Sequence, residues 1–223
     1  MREYYAMDVL VIGPNGKTGK LLIPILLANG HRVGAMIRDE SQGEDMRALG
    51  AEPLAGDLEA SQAEVAAVVR GHDAVIFAAG SGSKTGPEKT VDVDQNGAIT
   101  LIDACRAADC RRFIMLSSMA TGAPERAPEK LHPYLAAKDV ADKHLSASGL
   151  DYTIARPGLL TDEPATGRIR TADSLGNIID AGKISRADTA HILAACLDHP
   201  NTIGTSFEAL AGDTEIEAAM AGL

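Results

Sequence analysis

The sequence predicts an α/β fold built on a doubly wound parallel sheet. Short apolar runs alternate with segments of helical periodicity from the N-terminus to residue 156. The first run, Val9-Leu10-Val11-Ile12, leads directly into a glycine-rich turn and then into a helical pattern. Alternation at this spacing produces parallel strands with helices on both faces of the sheet. A chain of 223 residues is long enough for one domain of this kind.

The predicted elements follow one another with short connections. Strands are predicted at 8–12, 32–37, 52–55, 73–78, 112–117 and 151–156. Helices are predicted at 16–29, 41–49, 61–70, 89–108 and 134–147. In an open α/β sheet of this Rossmann type, ligands bind beyond the carboxyl ends of the strands. The loops that follow the strands should therefore carry the functional residues.

The C-terminal third has a different pattern. Residues 158–183 are polar and weakly periodic, which is long for a connection and typical of a lid or a small irregular subdomain. Arg168 and Arg170 in this segment could meet an anionic substrate, although solvated loop charges are the alternative. Ser185 and Asp188 are spaced as a capping box for a final helix, and 205–212 could add a strand. We interpret 1–223 as a single Rossmann domain, with 158–223 as its C-terminal lid or substrate region.

Composition excludes several classes of protein. The net charge is −10 and no run is rich in Lys or Arg, which disfavours binding to nucleic acid or to an anionic membrane. Cys105, Cys110 and Cys196 form an odd set in helical patterns, which favours a reducing, cytoplasmic compartment. The histidines lack metal-ligand spacing, so no metal is expected. We expect a small-molecule substrate and a monomer or homodimer.

The turn after the first strand contains two overlapping nucleotide-binding patterns. Gly16-Lys17-Thr18 looks like the end of an ATP-binding P-loop, but such a loop needs a glycine where this chain has Val11. Gly13, Gly16 and Gly19 suit a dinucleotide, because they allow a tight turn, approach of a pyrophosphate and close packing of the helix. The residues assigned to the phosphate turn are Gly13, Asn15, Gly16, Lys17, Thr18 and Gly19. We therefore predict a nicotinamide cofactor rather than ATP.

The residue that follows the second strand bears on the choice between NADP and NAD. Arg38 occupies the place where an acid would bind the ribose 2′-hydroxyl of NAD, and a guanidinium there favours the 2′-phosphate of NADP. Lys17 could assist. If the next residue, Asp39, pointed inward instead, NAD would be preferred. NADP(H) is the predicted cofactor, and NAD(H) is the alternative.

A Tyr–Lys pair supplies the candidate proton-transfer chemistry. Tyr134 and Lys138 are four residues apart on a predicted helix and so share one face. A lysine ammonium beside a phenol is expected to lower the tyrosine pKa, and such a tyrosine can exchange a proton with a carbonyl or an alcohol. Ser117 and Ser118 end the strand at 112–117, where a hydroxyl could bind the substrate oxygen or simply cap the strand.

Together these residues resemble the atypical branch of the short-chain dehydrogenase/reductase superfamily. The chain is similar to bacterial NAD(P)H-binding, NmrA-like proteins that are called sugar epimerases or NAD-dependent epimerase/dehydratases. The resemblance spans nearly the whole chain. It rests on the glycine turn, GDL at 56–58, FAAGSGSKTG at 77–86, RFIMLSS at 112–118, YLAAK at 134–138 and ARPGLL at 155–160.

The resemblance implies a role for each matching residue. It implies that Tyr134 is the acid/base, Lys138 its partner and Ser118 the orienting hydroxyl, with Ser117 as the fallback. It implies that Asp57 and Leu58 flank the adenine, that Ala78, Ala79 and Gly80 lie under the adenosine and pyrophosphate, and that Pro157 and Gly158 approach the nicotinamide. Ser117, Tyr134 and Lys138 complete the cofactor contacts, together with Arg38 at the 2′-phosphate.

One residue departs from the pattern of these enzymes. Asp94 stands where they usually carry an asparagine that positions water for proton relay. An aspartate could instead form an ion pair with Lys138, raise the lysine pKa and weaken its effect on Tyr134. The predicted function is an NADP-dependent oxidoreductase or epimerase-like enzyme that moves a hydride between nicotinamide and a carbonyl or secondary alcohol. The alternative is a non-catalytic NADP(H)-binding redox sensor, and the low aromatic content argues against a flavin or biliverdin-type reductase.

Overall fold

The computed structural model describes residues 6–80 and 87–223. Most of the segment 77–86 therefore lies outside the described residues, which include only its first four positions. The strands are β1 (Asp8–Ile12), β2 (Arg32–Ile37), β3 (Glu52–Ala55), β4 (Ala74–Phe77), β5 (Arg112–Leu116), β6 (Asp151–Pro157), β7 (Leu159–Thr161), β8 (Arg168–Ala172), β9 (Lys183–Ser185), β10 (Thr205–Ala211) and β11 (Thr214–Glu215). The α-helices are α1 (Lys17–Ala28), α2 (Gly43–Ala48), α3 (Gln62–Val69), α4 (Pro87–Lys89), α5 (Ala98–Ala107), α6 (His132–Ala147), α7 (Arg186–Asp198) and α8 (Ile216–Ala221).

The main sheet confirms the predicted fold class. Its strand order is β11-β8-β10-β6-β5-β4-β1-β2-β3, so the first six strands have the Rossmann order 3-2-1-4-5-6. Strands β1 to β6 and β10 pair in parallel, whereas β8 runs antiparallel to both β10 and β11. Two short strands, β7 and β9, form a separate parallel pair. The sheet is therefore mostly parallel, with an antiparallel extension contributed by the C-terminal third.

The two faces of the sheet bury two separate apolar cores. Along β1, Val9 and Val11 point to one core and Leu10 and Ile12 to the other, all with at most 1% of their surface exposed. Helices α1 and α7 cover the first core, and α3, α5 and α6 cover the second. A strand buried on both faces needs apolar residues at every position, which explains the continuous apolar runs of the sequence.

The helix predicted at 89–108 has an irregular start. Between α4 and α5 the chain forms a π-helix, Thr90–Gly97, in which backbone hydrogen bonds span five residues rather than four. Asp94 lies in this π-helical segment and is buried. The segment therefore brings a carboxylate to the interior where an uninterrupted α-helix was predicted.

Residues 158–183 hold more regular structure than the weak periodicity predicted. They contain β7, β8 and the first residue of β9, and β8 pairs with β10 in the main sheet. β7 has only three residues and β8 is exposed at alternate positions, so neither leaves a long apolar run in the sequence. The predictions of a strand at 205–212 and of a helix capped by Ser185 are confirmed by β10 and α7.

The capping arrangement of α7 differs in one detail from the predicted box. Ser185 Oγ accepts the backbone N–H of Asp188 at 2.8 Å, as expected. The Asp188 carboxylate accepts the backbone N–H groups of Thr166 and Gly167 at 2.8–3.1 Å, so it also ties the loop before β8 to the helix. None of the helices in the described ranges has the length and apolar character that a membrane span requires.

Candidate functional site

The glycine turn brings the ends of β1 and β4 into close contact. Gly13 has φ +78°, and a Cβ there would lie 2.5 Å from the Cα of Ala79. Gly16 donates its N–H to the Gly13 carbonyl at 3.1 Å, and a Cβ on Gly19 would lie 2.8 Å from the Cα of Pro14. Only glycine fits positions 13 and 19 without displacing backbone, so the turn, the helix and the β4 end are mutually fixed.

An open cleft of about 360 Å³ runs from this turn across the carboxyl ends of β1, β2 and β4. Gly16 caps α1 without a side-chain hydrogen bond, and the first turn of α1 has no acidic residue. Such a helix start, with glycines where backbone must approach a ligand, suits a pyrophosphate. The predicted cofactor residues on its walls are Gly13, Asn15, Gly16, Arg38, Asp57, Leu58, Ala79 and Gly80. These residues therefore fit a dinucleotide.

Three residues of the predicted phosphate turn do not line this cleft. Thr18 and Gly19 are buried within α1. Lys17 extends toward the C-terminal third, where its ammonium pairs with Asp162, which also pairs with Arg186. No local pattern predicts this contact, because the two partners are 145 positions apart. Lys17 is therefore engaged with the loop after β7 rather than directed to the adenosine end.

The end of the cleft predicted to bind adenosine carries two cations around one acid. Arg38 is largely exposed, with its Nη1 3.8 Å from Glu59 Oε1, and Lys89 Nζ lies 2.8 Å from the same oxygen. Asp39 is used locally, since its Oδ1 accepts the N–H of Ser41 at 2.9 Å and starts a 3₁₀ turn. The alternative in which Asp39 points inward is therefore not the arrangement in this structure. Sequence reasoning missed Glu59 and Lys89.

The loop after β3 and the π-helix meet behind the adenine side of the cleft. Asp57 Oδ1 accepts the N–H of Glu59 at 3.0 Å, which forms a tight turn. Leu58 is 8% exposed, and a Cβ on Gly97 would lie 3.0 Å from its Cβ. Leu58 is thus held by the π-helical segment, and its partly exposed edge faces the cleft.

Tyr134, Lys138 and Asp94 are brought together beside the end of β5. Lys138 is 2% exposed, and its Nζ lies 3.1 Å from Asp94 Oδ1 and donates to the carbonyl of Leu116 at 3.2 Å. The same Nζ is 5.8 Å from the centre of the Tyr134 ring. A Cβ on Gly80 would lie 3.3 Å from Asp94 Oδ1, so this buried group adjoins the cleft.

The electrostatics of this group differ from the expectation for Tyr134. Burial raises the pKa of Tyr134; Lys138 opposes this rise, while the charges of Asp94 and Asp142 reinforce it. The prediction of a lowered tyrosine pKa was therefore wrong. Burial works to lower the pKa of Lys138, but Tyr134 and Asp94 outweigh it and the pKa is raised. Both groups thus favour their protonated forms.

The two serines after β5 have different partners. Ser118 hydrogen-bonds the Tyr134 side chain, which works to lower the tyrosine pKa, and its Oγ also donates to the Met119 carbonyl at 3.3 Å. Ser117 Oγ donates to Asp142 Oδ2 at 2.8 Å in the interior. Ser118, and not the fallback Ser117, is therefore the hydroxyl next to Tyr134.

Asp142 and Arg156 form a second buried charge pair that sequence reasoning missed. Asp142 is 1% exposed, and its Oδ2 lies 2.9 Å from Arg156 Nη2. Burial raises the pKa of Asp142, while Arg156 and the hydroxyl of Ser117 work against that rise. Asp142 lies four residues after Lys138 on α6, so the helical spacing could have revealed it.

The residues predicted to lie at the nicotinamide, Pro157 and Gly158, and the two loop arginines make contacts within the protein. Pro157 is buried and its carbonyl accepts the N–H of Met119 at 2.9 Å, whereas a Cβ on Gly158 would overlap the Leu210 side chain. Arg168 binds the Asp213 carbonyl and Glu215, and Arg170 binds the Ala181 carbonyl. The arginines hold neighbouring backbone rather than facing the cleft.

Comparison with known proteins identifies the family. The family model described as NAD(P)H-binding matches residues 13–200. The chain belongs to this NAD(P)H-binding family. Within it the chain is of the atypical short-chain dehydrogenase/reductase type, whose members are oxidoreductase-like and epimerase-like.

Members of the family resemble the chain along its full length. The uncharacterized sugar epimerase YhfK of Bacillus subtilis is 44% identical over 215 residues, which cover 96% of this chain and 99% of that protein. A Bacillus halodurans structure, named for an NAD-dependent epimerase/dehydratase, is 40% identical with a TM-score of 0.92 and covers 98% of this chain and 100% of its own. The oxidoreductase ylbE from Lactococcus lactis is 29% identical with a TM-score of 0.84, covering 97% and 96%.

Outside the cleft, the structure describes a larger surface cavity and three buried cysteines. The cavity, of about 650 Å³, lies between α1, α7 and α8; Arg168 lines it, but none of the predicted catalytic or cofactor-binding residues does. Cys105, Cys110 and Cys196 are reduced and buried. The described residues hold no cluster of three or more His, Cys, Asp or Glu side chains placed to bind a metal.

Proposed function

We propose that the protein is an NADP-dependent oxidoreductase that moves a hydride between nicotinamide and a carbonyl or secondary alcohol. The observation that carries this proposal is the placement of Tyr134 and its partners Lys138, Asp94 and Ser118. This group adjoins, through Gly80, the end of a cleft that begins at the glycine turn. A proton donor therefore stands beside a dinucleotide cleft, which is the arrangement that carbonyl reduction requires.

In this mechanism the bound cofactor supplies the hydride. Ser118 donates a hydrogen bond to the substrate carbonyl oxygen and so fixes its position relative to Tyr134. Tyr134 Oη gives its proton to that oxygen as the carbon becomes an alcohol carbon, and Tyr134 is later reprotonated from solvent. The raised pKa of Tyr134 keeps the phenol protonated at neutral pH, which supports the direction of reduction. Lys138 stabilises the phenolate that forms in this step.

Preference for NADP is supported by the adenosine end of the cleft. Arg38 lies on the cleft wall, and the carboxylate of Asp39 is engaged with Ser41 instead of the cleft. Arg38 would pair with the 2′-phosphate, and Glu59, which now lies between Arg38 and Lys89, would release it. An acid that binds the ribose 2′-hydroxyl of NAD is not contributed by residue 39.

The test is NADPH-dependent reduction of a panel of aldehydes, ketones and quinones by wild type and by Tyr134→Phe. Losing a general acid should lower kcat/KM by about 10²–10⁴-fold. The dissociation constant of NADPH, measured by calorimetry, should change little, because the phosphate and adenosine contacts lie elsewhere. The single hydroxyl removed leaves the ring and its packing in place.

A second function, a non-catalytic NADP(H) sensor, is favoured by one specific observation. Lys138 is held by Asp94 and by the Leu116 carbonyl, and its pKa is raised by Tyr134 and by Asp94, so the lysine does not serve the tyrosine alone. If wild type binds NADPH but reduces nothing in the panel, and Tyr134→Phe behaves identically in every assay, the enzyme proposal is wrong. The sensor function should then be preferred.

A further inference from the structure

A buried glutamate on β10 is used neither by the cofactor cleft nor by the proton-transfer group. Glu208 lies between the buried apolar residues Phe207 and Ala209 and is 2% exposed. Its Oε1 accepts the backbone N–H of Ala120 at 3.1 Å, and its Oε2 accepts the backbone N–H of Leu175 at 2.6 Å. Oε2 also accepts Arg126 Nη2 at 2.7 Å. A buried charge is costly, and these three donors compensate it.

The donors to Glu208 come from two loops that are far apart in sequence. Ala120 and Arg126 belong to the loop between β5 and α6, and Leu175 belongs to the segment between β8 and β9. Arg126 strengthens the link, since its Nε and Nη2 donate to the Gly176 carbonyl at 3.0 and 2.6 Å. Its own backbone carbonyl accepts the N–H of Ile178 at 2.9 Å. One carboxylate therefore joins both loops to the sheet.

The link reaches the proton-transfer group through a strained residue. Ala120 has φ +67°, a left-handed conformation that a residue with a Cβ adopts only at a cost of about 1–2 kcal/mol. Its N–H is held by Glu208, and it lies two residues after Ser118. The next residue, Thr121, donates its N–H to the Ser118 carbonyl at 3.2 Å. The backbone that carries the Ser118 hydroxyl is thus fixed by the hydrogen bond from Ala120 to Glu208.

The same two loops pack an apolar cluster against Tyr134. Its buried members are Met119, Ala120, Ala127, Leu135, Ile178 and Leu210, and Tyr134 and Leu175 are partly buried against them. Leu210 lies two residues after Glu208 on the same face of β10. The position of the Tyr134 ring therefore depends on both loops remaining on the sheet.

We propose that Glu208 is a positioning residue for the reaction: by binding Ala120, Leu175 and Arg126 at once, it sets Ser118 and Tyr134 at the distance from the substrate that hydride transfer requires. This proposal rests on the proposed function. It assigns the loop at 119–131 and the segment at 173–181 to a single substrate-binding unit. It also separates the requirements of substrate positioning from those of cofactor binding, because Glu208 does not line the cleft.

The decisive variant is Glu208→Gln. The amide keeps one acceptor oxygen but presents an NH₂ group to a second donor, so Ala120 and Leu175 can no longer both be bound. We expect kcat/KM for the best carbonyl substrate to fall about 10–100-fold, as a small displacement of reacting groups does. The dissociation constant of NADPH should stay within about twofold, since the cleft is unchanged. Arg126→Met, on a partly exposed loop, provides a second variant if Glu208→Gln folds poorly.

Asp188→Asn is the matched control. Asp188 is also a buried carboxylate that holds a loop by backbone N–H groups, but it binds Thr166 and Gly167, away from Tyr134. The Asp188→Asn variant should lose thermal stability but keep the wild-type kcat/KM at temperatures where it is folded. If Glu208→Gln and Asp188→Asn lose stability alike and both keep kcat/KM, Glu208 is a structural residue only and the proposal is wrong.

Amide hydrogen exchange tests the link without any substrate. Glu208→Gln should accelerate exchange at 118–123 and 174–178 together and leave 165–167 unchanged, and Asp188→Asn should do the reverse. Exchange that rises in one loop alone, or evenly over the chain, overturns the proposal. If wild type has no reductase activity, the proposed function fails, and the paired exchange still decides whether Glu208 joins the loops. If wild type is active and Glu208→Gln keeps kcat/KM, the positioning role fails while the proposed function stands.

Discussion

Replacing Asp94 by asparagine separates the structural role of its carboxylate from its effect on Tyr134. At 3.1 Å, the attraction between Asp94 and Lys138 is about 5 kcal/mol for an effective dielectric constant of 20. Desolvation offsets much of this attraction, and removing one partner of a buried pair costs about 3–5 kcal/mol of unfolding free energy. Because the asparagine amide keeps an acceptor for Lys138, we expect the free energy of unfolding to fall by about 3 kcal/mol, the lower end of this range. For a chain of this size that loss lowers Tm by about 6–12 °C.

The same substitution should move the pKa of Tyr134 in a known direction. The carboxylate of Asp94 contributes to the raised pKa of Tyr134, so Asp94→Asn should lower that pKa. The alkaline limb of kcat for carbonyl reduction should shift to lower pH, while kcat at neutral pH stays unchanged or rises. The assays are thermal melting with NADPH absent and a steady-state pH profile with NADPH saturating.

Asp103→Asn serves as the control, because Asp103 pairs with His144 and Arg106 at the surface and its loss should change Tm little. Asp94→Asn with an unchanged Tm and a collapse of kcat by more than about 10²-fold would refute the reasoning. That result would place Asp94 in the proton relay itself rather than in a supporting ion pair.

Three further outcomes follow from the site. Arg38→Ala should weaken the binding of NADPH relative to that of NADH by about 1.5 kcal/mol, the low end for a charge-assisted contact because Arg38 is exposed. Asp39→Asn should leave the preference for NADPH intact. Equilibrium binding of both cofactors measures the two effects. Because the raised pKa of Tyr134 keeps the proton donor protonated, the rate of reduction should stay level through neutral pH. It should decline only above about pH 10, the usual tyrosine pKa. A decline near pH 8 would contradict the assignment of Tyr134 as the donor. Gly13→Ala should abolish tight NADPH binding, because its Cβ would lie 2.5 Å from backbone. Gly30 also has a positive φ, +88°, but nothing lies within 4 Å of its Cβ position. Gly30→Ala should therefore lower the free energy of unfolding by only about 1–2 kcal/mol, measured by thermal denaturation.

The order of elements was predictable because each strand of a sheet covered on both faces must be continuously apolar. The runs at 8–12 and 112–117 gave β1 and β5 within one residue. The glycine turn was predictable for the same local reason, since its residues are adjacent and their backbone requirements are specific to glycine. Short or half-exposed strands leave weaker patterns, which is why β7 and β8 were not predicted within 158–183.

The electrostatics of the candidate site could be predicted only in part. The pairing of Asp94 with Lys138 was anticipated from the residue types, and the structure contains it. The direction of the Tyr134 pKa shift was not anticipated, because it depends on burial and on a second nearby carboxylate, that of Asp142. A charged residue between apolar neighbours made Glu208 noticeable in the sequence, but its partners come from loops that no local pattern connects.

The two edges of the main sheet bear on how copies of the chain can associate. One edge is β3, where Pro53 removes a backbone donor, and the other is β11, which has only two residues. Neither edge offers the long row of free donors and acceptors that lets a second chain add its own strand. A homodimer in which the two sheets join edge to edge through added strands is therefore disfavoured.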